Sequence, residues 1–553
     1  MTVTSRFFER ALKLPPAQTR DLAVQRDLRV PMTDGVTLLA DRYVAAAAVS
    51  EQLPLILVRC PYGRRGAFGM MAGRLFAERG FQSVVQSCRG TFGSGGELDP
   101  LGVTEATDGL ATVQWLRDQP WYPGSFGTWG PSYLGITQWA LATLGLPDHK
   151  AMALQVSSTR PRELIQPNGS FGLETMLEWI DQVAHQERRG AMARQLLRAR
   201  KLRELAGHLP LRDLDRLATG ATLPYWQAWL TEDAKFWEQH QFASGPGRLT
   251  ATVAMTAGWY DIFLPAQLRD FASLREAGHQ PRLTIGPWRH ADNEAAGTWV
   301  RDGLEFLQTQ LTGSAGPDAD GVAPGVRIFV TGADEWRNLP DWPPPGAPQT
   351  WYLQPRGGLA PALPAVSDPD DYIYNPADPT PGLAGPVGNS GRARVDNRML
   401  EARPDVLTYT SAPLTADTEV MGVPVVTLHV RSSREHTDFF ARLCEVNPAG
   451  RSLNVCDALL RLSPGQPAAT ADGTRLAAFE LWPVAHRFAA GNRLRLQVSS
   501  GAHPRYARNP GTADPLGTAA LLVTQQQHVY HDPAHPSALT LPSWSQIRAD
   551  GAG

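Results

Sequence analysis

Short apolar segments that alternate with helix-like segments constrain the fold of this chain more than any other feature. Residues 54–58 read PLILV and residues 83–86 read SVVQ, and the stretch GMMAGRLFAERG between them has helical spacing. Strands that are apolar along their whole length are typical of a parallel sheet that is covered on both faces. The pattern continues through a helix at 109–119, a strand near 127–129 and a helix at 133–145. The sequence therefore predicts an α/β fold with a parallel central sheet.

An antiparallel edge is predicted at the start of this sheet. Residues 20–46 contain short alternating apolar runs that are interrupted by Asp34-Gly35. An Asp-Gly pair between two alternating runs is a strong signal for a hairpin.

Two further parts of the chain depart from this alternation. Residues from about 155 to 245 are rich in Arg, Leu, Glu, Trp and Gln with helical periodicity, and the strand-like segments TVAMTAGWY and RLTIGPWR follow them. Beyond about 315 Pro and Gly become dense, and after 400 short alternating strands dominate, as in an all-β sandwich. We predict an α/β domain from 1–149 and 249–317, a helical cap at 150–248, and a jelly-roll-like β-sandwich at 318–553.

Charge and composition exclude several classes of partner. Lys and Arg total 52 against 54 Asp and Glu, which gives a formal net charge of −2 and no basic excess for nucleic acid or an anionic membrane. No apolar run reaches the length of about 18 residues that a membrane-spanning helix needs. A small neutral molecule, an ester or an amide, fits better as the partner, and the oligomeric state stays open, a homo-oligomer included.

The cysteines and the N-terminal segment favour a cytoplasmic protein without metal. The first residues contain Arg and Glu where a secretory signal would have an unbroken apolar core. The chain has four cysteines, none of them in a CxxC pair. We therefore expect reduced, partly buried thiols, no metal site and no cofactor.

Ser132 is the candidate nucleophile. It lies in TWGPSYLG, between a predicted strand and a predicted helix. A nucleophile elbow needs this context and small neighbouring residues, because a strained turn presents the hydroxyl above the sheet. The strict G-x-S-x-G pattern would place glycine at 134, where this chain has Leu134, with Gly135 one position later. A serine that only caps a helix after a strand is the alternative at this position.

An acid and a base follow in the order that a hydrolase triad requires. Asp261 comes after the strand-like TVAMTAGWY, and His290 comes after RLTIGPWR. Either residue alone is typical of a cap or a surface position. Three residues in the order Ser, Asp, His, each at the end of a strand, favour a catalytic triad.

Several longer segments resemble one known family. The segments RCPYGRRG, SCRGTFGSGGE, FGTWGPSYLG, TAGWYDIF and IGPWRH, and further ones such as GADEWRNLPDWP and VSSGAHPRYARN, are similar to those of the CocE/NonD-type hydrolases. This is the group of bacterial cocaine esterases, which is related to the X-Pro dipeptidyl peptidases. The resemblance spans nearly the whole chain.

The resemblance implies a role for each matching residue. Ser132 would be the nucleophile, His290 the base and Asp261 the residue that orients it. Tyr62 matches the tyrosine whose hydroxyl stabilises the oxyanion, and the backbone N–H of Tyr133 would be the second donor. Trp179 and Phe263 match positions that line the acyl pocket. An aromatic residue of the core is the alternative for Tyr62, Trp179 and Phe263.

These features together predict that residues 1–149 and 249–317 form an α/β-hydrolase domain. They also predict a serine carboxylesterase that hydrolyses small acyl esters through an acyl-serine intermediate. An amidase, an X-Pro dipeptidyl peptidase or an α-amino-acid ester hydrolase of the same family is the first alternative. Such enzymes need carboxylates to hold a free amine, and the predicted cap offers Glu163, Glu174, Glu178 and Asp181. A non-catalytic binding protein built on the sandwich is the second alternative, and an intact triad argues against it.

Overall fold

The structure is a computed structural model that describes residues 2–102, 104–231, 233–313, 325–386, 388 and 391–543. The chain divides into two compact units. The first comprises Met1–Leu164, Gln182–Ala193 and Glu232–Val326, and the second comprises Ile165–Asp181, Arg194–Thr231 and Arg327–Gly553. The three-part division drawn from the sequence stays a prediction.

Helices occur throughout the first 312 residues. In chain order they are α1 (Thr2–Ala11), α2 (Gly66–Phe68), α3 (Leu75–Ala77), α4 (Thr104–Arg117), α5 (Tyr133–Ala142), α6 (Pro161–Ile165), α7 (Leu173–His185), α8 (Ala191–Leu205), α9 (Leu214–Thr219), α10 (Pro224–Trp229), α11 (Ala234–Gln239), α12 (Gly245–Arg248), α13 (Leu264–Glu276), α14 (Asn293–Thr312) and the later α15 (Arg398–Glu401). A π-helical turn, Gly69–Arg74, joins α2 to α3. Within the described ranges, no helix combines the length and apolar character needed to cross a bilayer.

A twisted sheet forms the centre of the first unit. Its strands are β1 (Leu22–Pro31), β2 (Thr37–Ala45), β3 (Leu55–Cys60), β4 (Gln82–Ser87), β5 (Phe126–Pro131), β6 (His149–Gln155), β7 (Thr252–Tyr260) and β8 (Arg282–Arg289). They lie in the order β1-β2-β4-β3-β5-β6-β7-β8, antiparallel up to β4 and parallel from β4 onward. Every residue of β3, β4 and β5 is buried, so the parallel sheet covered on both faces is confirmed.

The predicted hairpin forms the antiparallel edge. β1 and β2 pair across a turn in which Gly35 has φ of +83°, a conformation that glycine adopts without strain. The Asp34 carboxylate accepts the N–H of Val36 at 3.1 Å and fixes this turn.

One strand lies where the sequence predicts the beginning of the helical cap. Residues His149–Gln155 form β6 between β5 and β7, so the helical part starts only after this strand. The stretch AMALQ consists of residues with high helix propensity, and the position in the sheet overrides that local preference. From α6 to α12 the chain is helical, as the periodicity predicts.

The strand β5 is held tightly by α14. The Trp129 side chain in β5 is fully buried and donates its indole N–H to the Trp299 carbonyl oxygen at 3.1 Å. A Cβ on Gly303 would lie 2.6 Å from the Trp129 ring, so glycine allows the helix to approach β5 closely.

The second unit is dominated by β-structure. The strands in this part of the chain are β9 (Val326–Val330), β10 (Glu335–Leu339), β11 (Ala347–Gln354), β12 (Gly358–Ala360), β13 (Asp370–Tyr374), β14 (Leu407–Ser411), β15 (Thr418–Gly422), β16 (Val425–Ser432), β17 (Thr437–Val446), β18 (Ser452–Leu462), β19 (Arg475–Glu480), β20 (Val484–Phe488), β21 (Arg493–Ser499), β22 (Gln525–Asp532), β23 (His535–Pro536) and β24 (Ala538–Ser543). The main path of the 14-stranded sheet is β13-β22-β16-β24-β11-β12-β14-β21-β17-β18. Its core is apolar and includes Tyr409, Phe439 and Phe488. The C-terminal β-sandwich is therefore confirmed.

Candidate active site

Ser132 lies in a strained turn between β5 and α5. Its backbone has φ of 57° and ψ of −124°, which a residue with a Cβ rarely adopts, and its N–H donates to the Gln155 carbonyl oxygen at 2.9 Å. Such a turn at the end of a buried parallel strand presents the hydroxyl at the edge of the sheet. Ser132 therefore has the local geometry of a nucleophile elbow.

Two glycines on either side of Ser132 leave space for this turn. A Cβ on Gly130, which has φ of +151°, would lie 2.4 Å from the Cβ of Leu134. A Cβ on Gly135 would lie 2.4 Å from the Cβ of Ser157. The close contact with Ser157 explains why glycine is required at 135, and Leu134 is buried against Gly130.

His290 connects Ser132 to Asp261. The two residues follow β8 and β7 directly, as the strand pattern predicts. The His290 Nε2 atom lies 3.0 Å from Ser132 Oγ, and the Nδ1 atom lies 2.6 Å from Asp261 Oδ2. An ionised carboxylate can only accept hydrogen bonds, so Nδ1 carries the imidazole proton and Nε2 is left to accept the serine proton.

The Asp261 carboxylate is held from a second side. It is fully buried, and its Oδ1 atom accepts the backbone N–H of Phe263 at 2.7 Å. The Arg289 N–H donates to Asp292 at 2.7 Å and closes the turn that carries His290. Both ends of the Asp261–His290 pair are thus fixed by hydrogen bonds to the backbone.

Tyr62 leaves the same edge of the sheet as Ser132, because β3 and β5 are parallel neighbours. Its ring is half-buried and stacks on Phe68 with the ring centroids 5.5 Å apart. Gln186 donates to the Pro61 carbonyl oxygen at 2.9 Å, and the Tyr43 hydroxyl donates to the Arg64 carbonyl oxygen at 3.0 Å. These hydrogen bonds fix the chain on both sides of Tyr62.

Tyr133 is the first residue of α5, where backbone N–H groups have no acceptor inside the helix. Its side chain is buried, and its hydroxyl donates to Glu105 Oε1 at 2.6 Å. The hydroxyl group is therefore engaged in the protein interior, and the backbone amide lies at the N-terminus of α5 next to Ser132.

The two predicted pocket residues lie in different units. Phe263 is buried beside the triad, with its ring centroid 5.5 Å from that of His290. Trp179 lies in the second unit, half-buried on α7, where its ring packs at 6.3 Å from Tyr225 and 5.8 Å from Trp229. The role of Trp179 in an acyl pocket stays a prediction.

Sequence reasoning missed a buried ion pair beneath the start of α5. Arg59 lies within the fully buried strand β3, and its Nη2 atom is 2.9 Å from Glu105 Oε2 in the first turn of α4. An arginine inside an otherwise apolar strand, LILVRC, requires a buried partner. That requirement is the signal in the sequence that predicts such a pair.

The four thiols of the chain lie in the protein interior. All four cysteines are free and buried, and burial raises the pKa of the Cys60 thiol to about 12. Thiols of this kind stay protonated at neutral pH and are poor metal ligands. Among the residues that the structure describes, no group of three or more His, Cys, Asp or Glu side chains is arranged to hold a metal ion.

Two sequence profiles match the chain in succession. The profile of the X-Pro dipeptidyl-peptidase (S15 family) matches residues 34–292, and that of the X-Pro dipeptidyl-peptidase C-terminal non-catalytic domain matches residues 321–540. Cocaine esterase from Rhodococcus sp. (strain MB1 Bresler) is 30% identical over 94% of this chain and 98% of its own length.

Solved structures with a similar fold include enzymes of two kinds. An α-amino acid ester hydrolase is 25% identical with a TM-score of 0.78, and the match covers 96% of this chain and 98% of that one. A CocE/NonD family hydrolase from Staphylococcus aureus is 17% identical with a TM-score of 0.68, over 95% of this chain and 94% of that one. The second likeness concerns the fold alone.

Proposed function

Because the chain belongs to the CocE/NonD family of hydrolases, which includes cocaine esterase, and is a serine ester hydrolase, we propose that it is a carboxylesterase of small acyl esters. In this proposal Ser132 is the nucleophile, His290 the base and Asp261 the residue that orients the base. The observation that carries the proposal is the continuous hydrogen-bonded chain from Ser132 Oγ through His290 to Asp261, with distances of 3.0 Å and 2.6 Å.

The reaction proceeds in two halves with an acyl-serine between them. Ser132 Oγ attacks the ester carbonyl carbon while His290 Nε2 takes its proton, and the carbonyl oxygen becomes an oxyanion. Collapse of this intermediate breaks the bond to the alcohol, which leaves with the proton from His290. Water then attacks the acyl group by the same route, releases the carboxylic acid and restores Ser132. The Asp261 carboxylate stabilises the imidazolium in both halves.

The oxyanion is stabilised in this proposal by the Tyr62 hydroxyl and the Tyr133 amide. Each donor is worth about 3 kcal/mol when it is aimed at the developing charge in a site that excludes water. The parallel pairing of β3 and β5 supports this pairing of donors, because both residues follow strands that end at one edge of the sheet.

Tyr62→Phe tests the side-chain donor directly. The substitution keeps the ring against Phe68 and removes only the hydroxyl, so we expect kcat to fall about 10²- to 10³-fold with KM little changed. Steady-state kinetics on one activated ester give both constants. Tyr374→Phe is the control, because the buried Tyr374 hydroxyl has no hydrogen-bond partner within the described part of the chain. A kcat within a few-fold of wild type would assign Tyr62 to packing alone.

The state of three of the four candidate carboxylates favours an ester over a substrate with a free amine. Glu163 accepts from Arg269 at 2.5 Å, and Asp181 accepts from Arg198 at 2.8 Å. Burial raises the pKa of Glu174, which disfavours its charged form. Carboxylates that are paired with arginine or resist ionisation attract an ammonium group weakly.

A substrate panel separates the ester from the amide proposal. We expect kcat/KM for p-nitrophenyl acetate, butyrate and benzoate to exceed that for alanyl-prolyl-p-nitroanilide and for alanine p-nitrophenyl ester by about 100-fold or more. Such a ratio is within what buried polar groups and paired charges discriminate. Faster turnover of the anilide would point to a dipeptidyl peptidase, and faster turnover of the amino-acid ester to an α-amino-acid ester hydrolase.

A further inference from the structure

The ion pair between Arg59 and Glu105 is buried beneath the start of α5. Both side chains are almost completely shielded from solvent, with 2% and 6% of their surfaces exposed. Arg59 also donates to the Glu105 carbonyl oxygen at 2.6 Å and to Gln86 Oε1 at 3.1 Å. The guanidinium is thus bound to α4 through two contacts and to the neighbouring strand β4 through a third.

Glu105 also binds the side chain of Tyr133. The Tyr133 hydroxyl donates to Glu105 Oε1 at 2.6 Å, and the same hydroxyl accepts the N–H of Leu101 at 3.2 Å. One carboxylate therefore links the strand that leads to Tyr62 with the first residue of the nucleophile helix. Burial raises the pKa of the Glu105 carboxyl, and the nearby Arg59 charge opposes that shift.

Stability alone does not account for this arrangement. Two charges removed from water lose their hydration, and a buried ion pair is often no more stabilising than apolar residues of the same volume. A tyrosine hydroxyl with one donor bond and one acceptor bond has, by contrast, a single fixed position. The contacts on this side chain therefore restrict the orientation of Tyr133, and with it the direction of the N–H at the start of α5.

We propose that Glu105 is a positioning residue for the oxyanion hole, which holds the Tyr133 amide in place through the tyrosine hydroxyl and anchors it to Arg59. This inference rests on the proposed function, in which the Tyr133 amide is a donor to the oxyanion. Glu105 itself does not contact the substrate in this account. Glu105 affects the direction of the Tyr133 N–H. Its loss should therefore destabilise the transition state, in which the oxyanion forms, more than the bound ester.

Tyr133→Phe removes the bond to Glu105 and keeps the ring and the amide. We expect kcat to fall about tenfold and KM to stay within about twofold of the wild-type value. Titration with a fluorophosphonate gives the concentration of active sites from which kcat is calculated. The inhibition constant of an aryl boronic acid, which forms a tetrahedral adduct with the serine, should rise by the same factor as kcat falls. Inhibition by the carboxylate product should change less than twofold.

Tyr122→Phe is the matched control. The Tyr122 hydroxyl donates to Asp148 Oδ2 at 2.6 Å, and Asp148 pairs with Arg117 at 2.7 Å, so a tyrosine, a carboxylate and an arginine are linked there as well, with Asp in place of Glu. Asp148 immediately precedes β6, at the end of the sheet opposite to Ser132. Loss of this hydroxyl removes a hydrogen bond of the same kind at a partly exposed position, so it should lower the melting temperature and leave kcat within twofold. If Tyr133→Phe behaves like this control, the Glu105 contact is structural only and the proposal is wrong.

A pair of substitutions at Glu105 provides a second test. Glu105→Gln keeps an oxygen that accepts from Tyr133 and should keep kcat within about threefold, although Arg59 loses its counter-charge and the melting temperature falls. Glu105→Met removes the acceptor and should lower kcat about tenfold. Equal kcat values for the two variants would overturn the proposal. Failure of the proposed function is recognised separately, because it would appear as wild-type turnover by Ser132→Ala or as faster turnover of the anilide or the amino-acid ester by the wild-type protein.

Discussion

Ser132→Ala is expected to lower kcat on an activated ester about 10⁶-fold and to abolish covalent labelling by a fluorophosphonate. The loss is this large because the hydroxyl is the atom that forms the acyl bond, and no other group within the hydrogen-bonded chain to His290 and Asp261 can replace it. Residual hydrolysis about 10³- to 10⁴-fold above the rate in water should remain, since the oxyanion donors and the binding site are unchanged.

A second serine controls for the effect of the substitution on folding. Ser83 is buried in β4 and its hydroxyl has no hydrogen-bond partner among the described residues, so Ser83→Ala should preserve both labelling and turnover. Ser132→Ala should unfold within a few degrees of wild type, because its backbone N–H still donates to Gln155. Labelling of Ser132→Ala at the wild-type rate would mean that another residue is the nucleophile.

In the first unit, the sequence predicts those strands whose residue types follow from burial alone. The strands β3 and β4 are buried on both faces, and each contains a continuous apolar segment with β-branched residues, at 55–58 and at 84–85. The strand β6 is just as buried, but Ala151, Met152 and Leu154 are also good helix formers. Its partners β5 and β7 decide between the two conformations, and β7 lies about 100 residues further along the chain.

The order of the candidate site residues could be predicted because each follows a strand. In a parallel sheet the carboxyl ends of the strands meet at one edge, so Ser132, Asp261 and His290 are expected to be near one another once their strands are identified. The distances of 3.0 Å and 2.6 Å depend on turn geometry that a sequence does not specify, such as the strained backbone of Ser132. Their catalytic roles stay predictions.

The sequence does not reveal which two residues form each contact that supports the site. Arg59 and Glu105 are 46 residues apart, and a buried arginine indicates only that some partner exists. The same applies to the bond from Gln186 to the Pro61 carbonyl oxygen, which spans 125 residues. Such pairs depend on how helices and strands pack, and the residue types alone leave many partners open.

Asp261→Asn is expected to lower kcat about 10⁴-fold while the fold stays intact. Asp261 Oδ1 accepts the Phe263 N–H at 2.7 Å, and Oδ2 faces His290 Nδ1 at 2.6 Å. In the asparagine variant the amide oxygen has to remain on the Phe263 N–H, so the NH₂ group faces Nδ1. Nδ1 must then accept a hydrogen bond, the imidazole proton moves to Nε2, and Nε2 cannot take the proton of Ser132.

The combination of this variant with Ser132→Ala shows whether the residues act as one unit. If they do, the double variant should be as slow as Ser132→Ala alone, because a base and its orienting carboxylate have nothing to act on without the hydroxyl. Asp148→Asn makes the same chemical change on a carboxylate bound by Arg117 and Tyr122 and should leave kcat within about twofold. Losses that multiply in the double variant would show that Asp261 acts independently of Ser132, and the assignment of Asp261 to a triad would then be wrong.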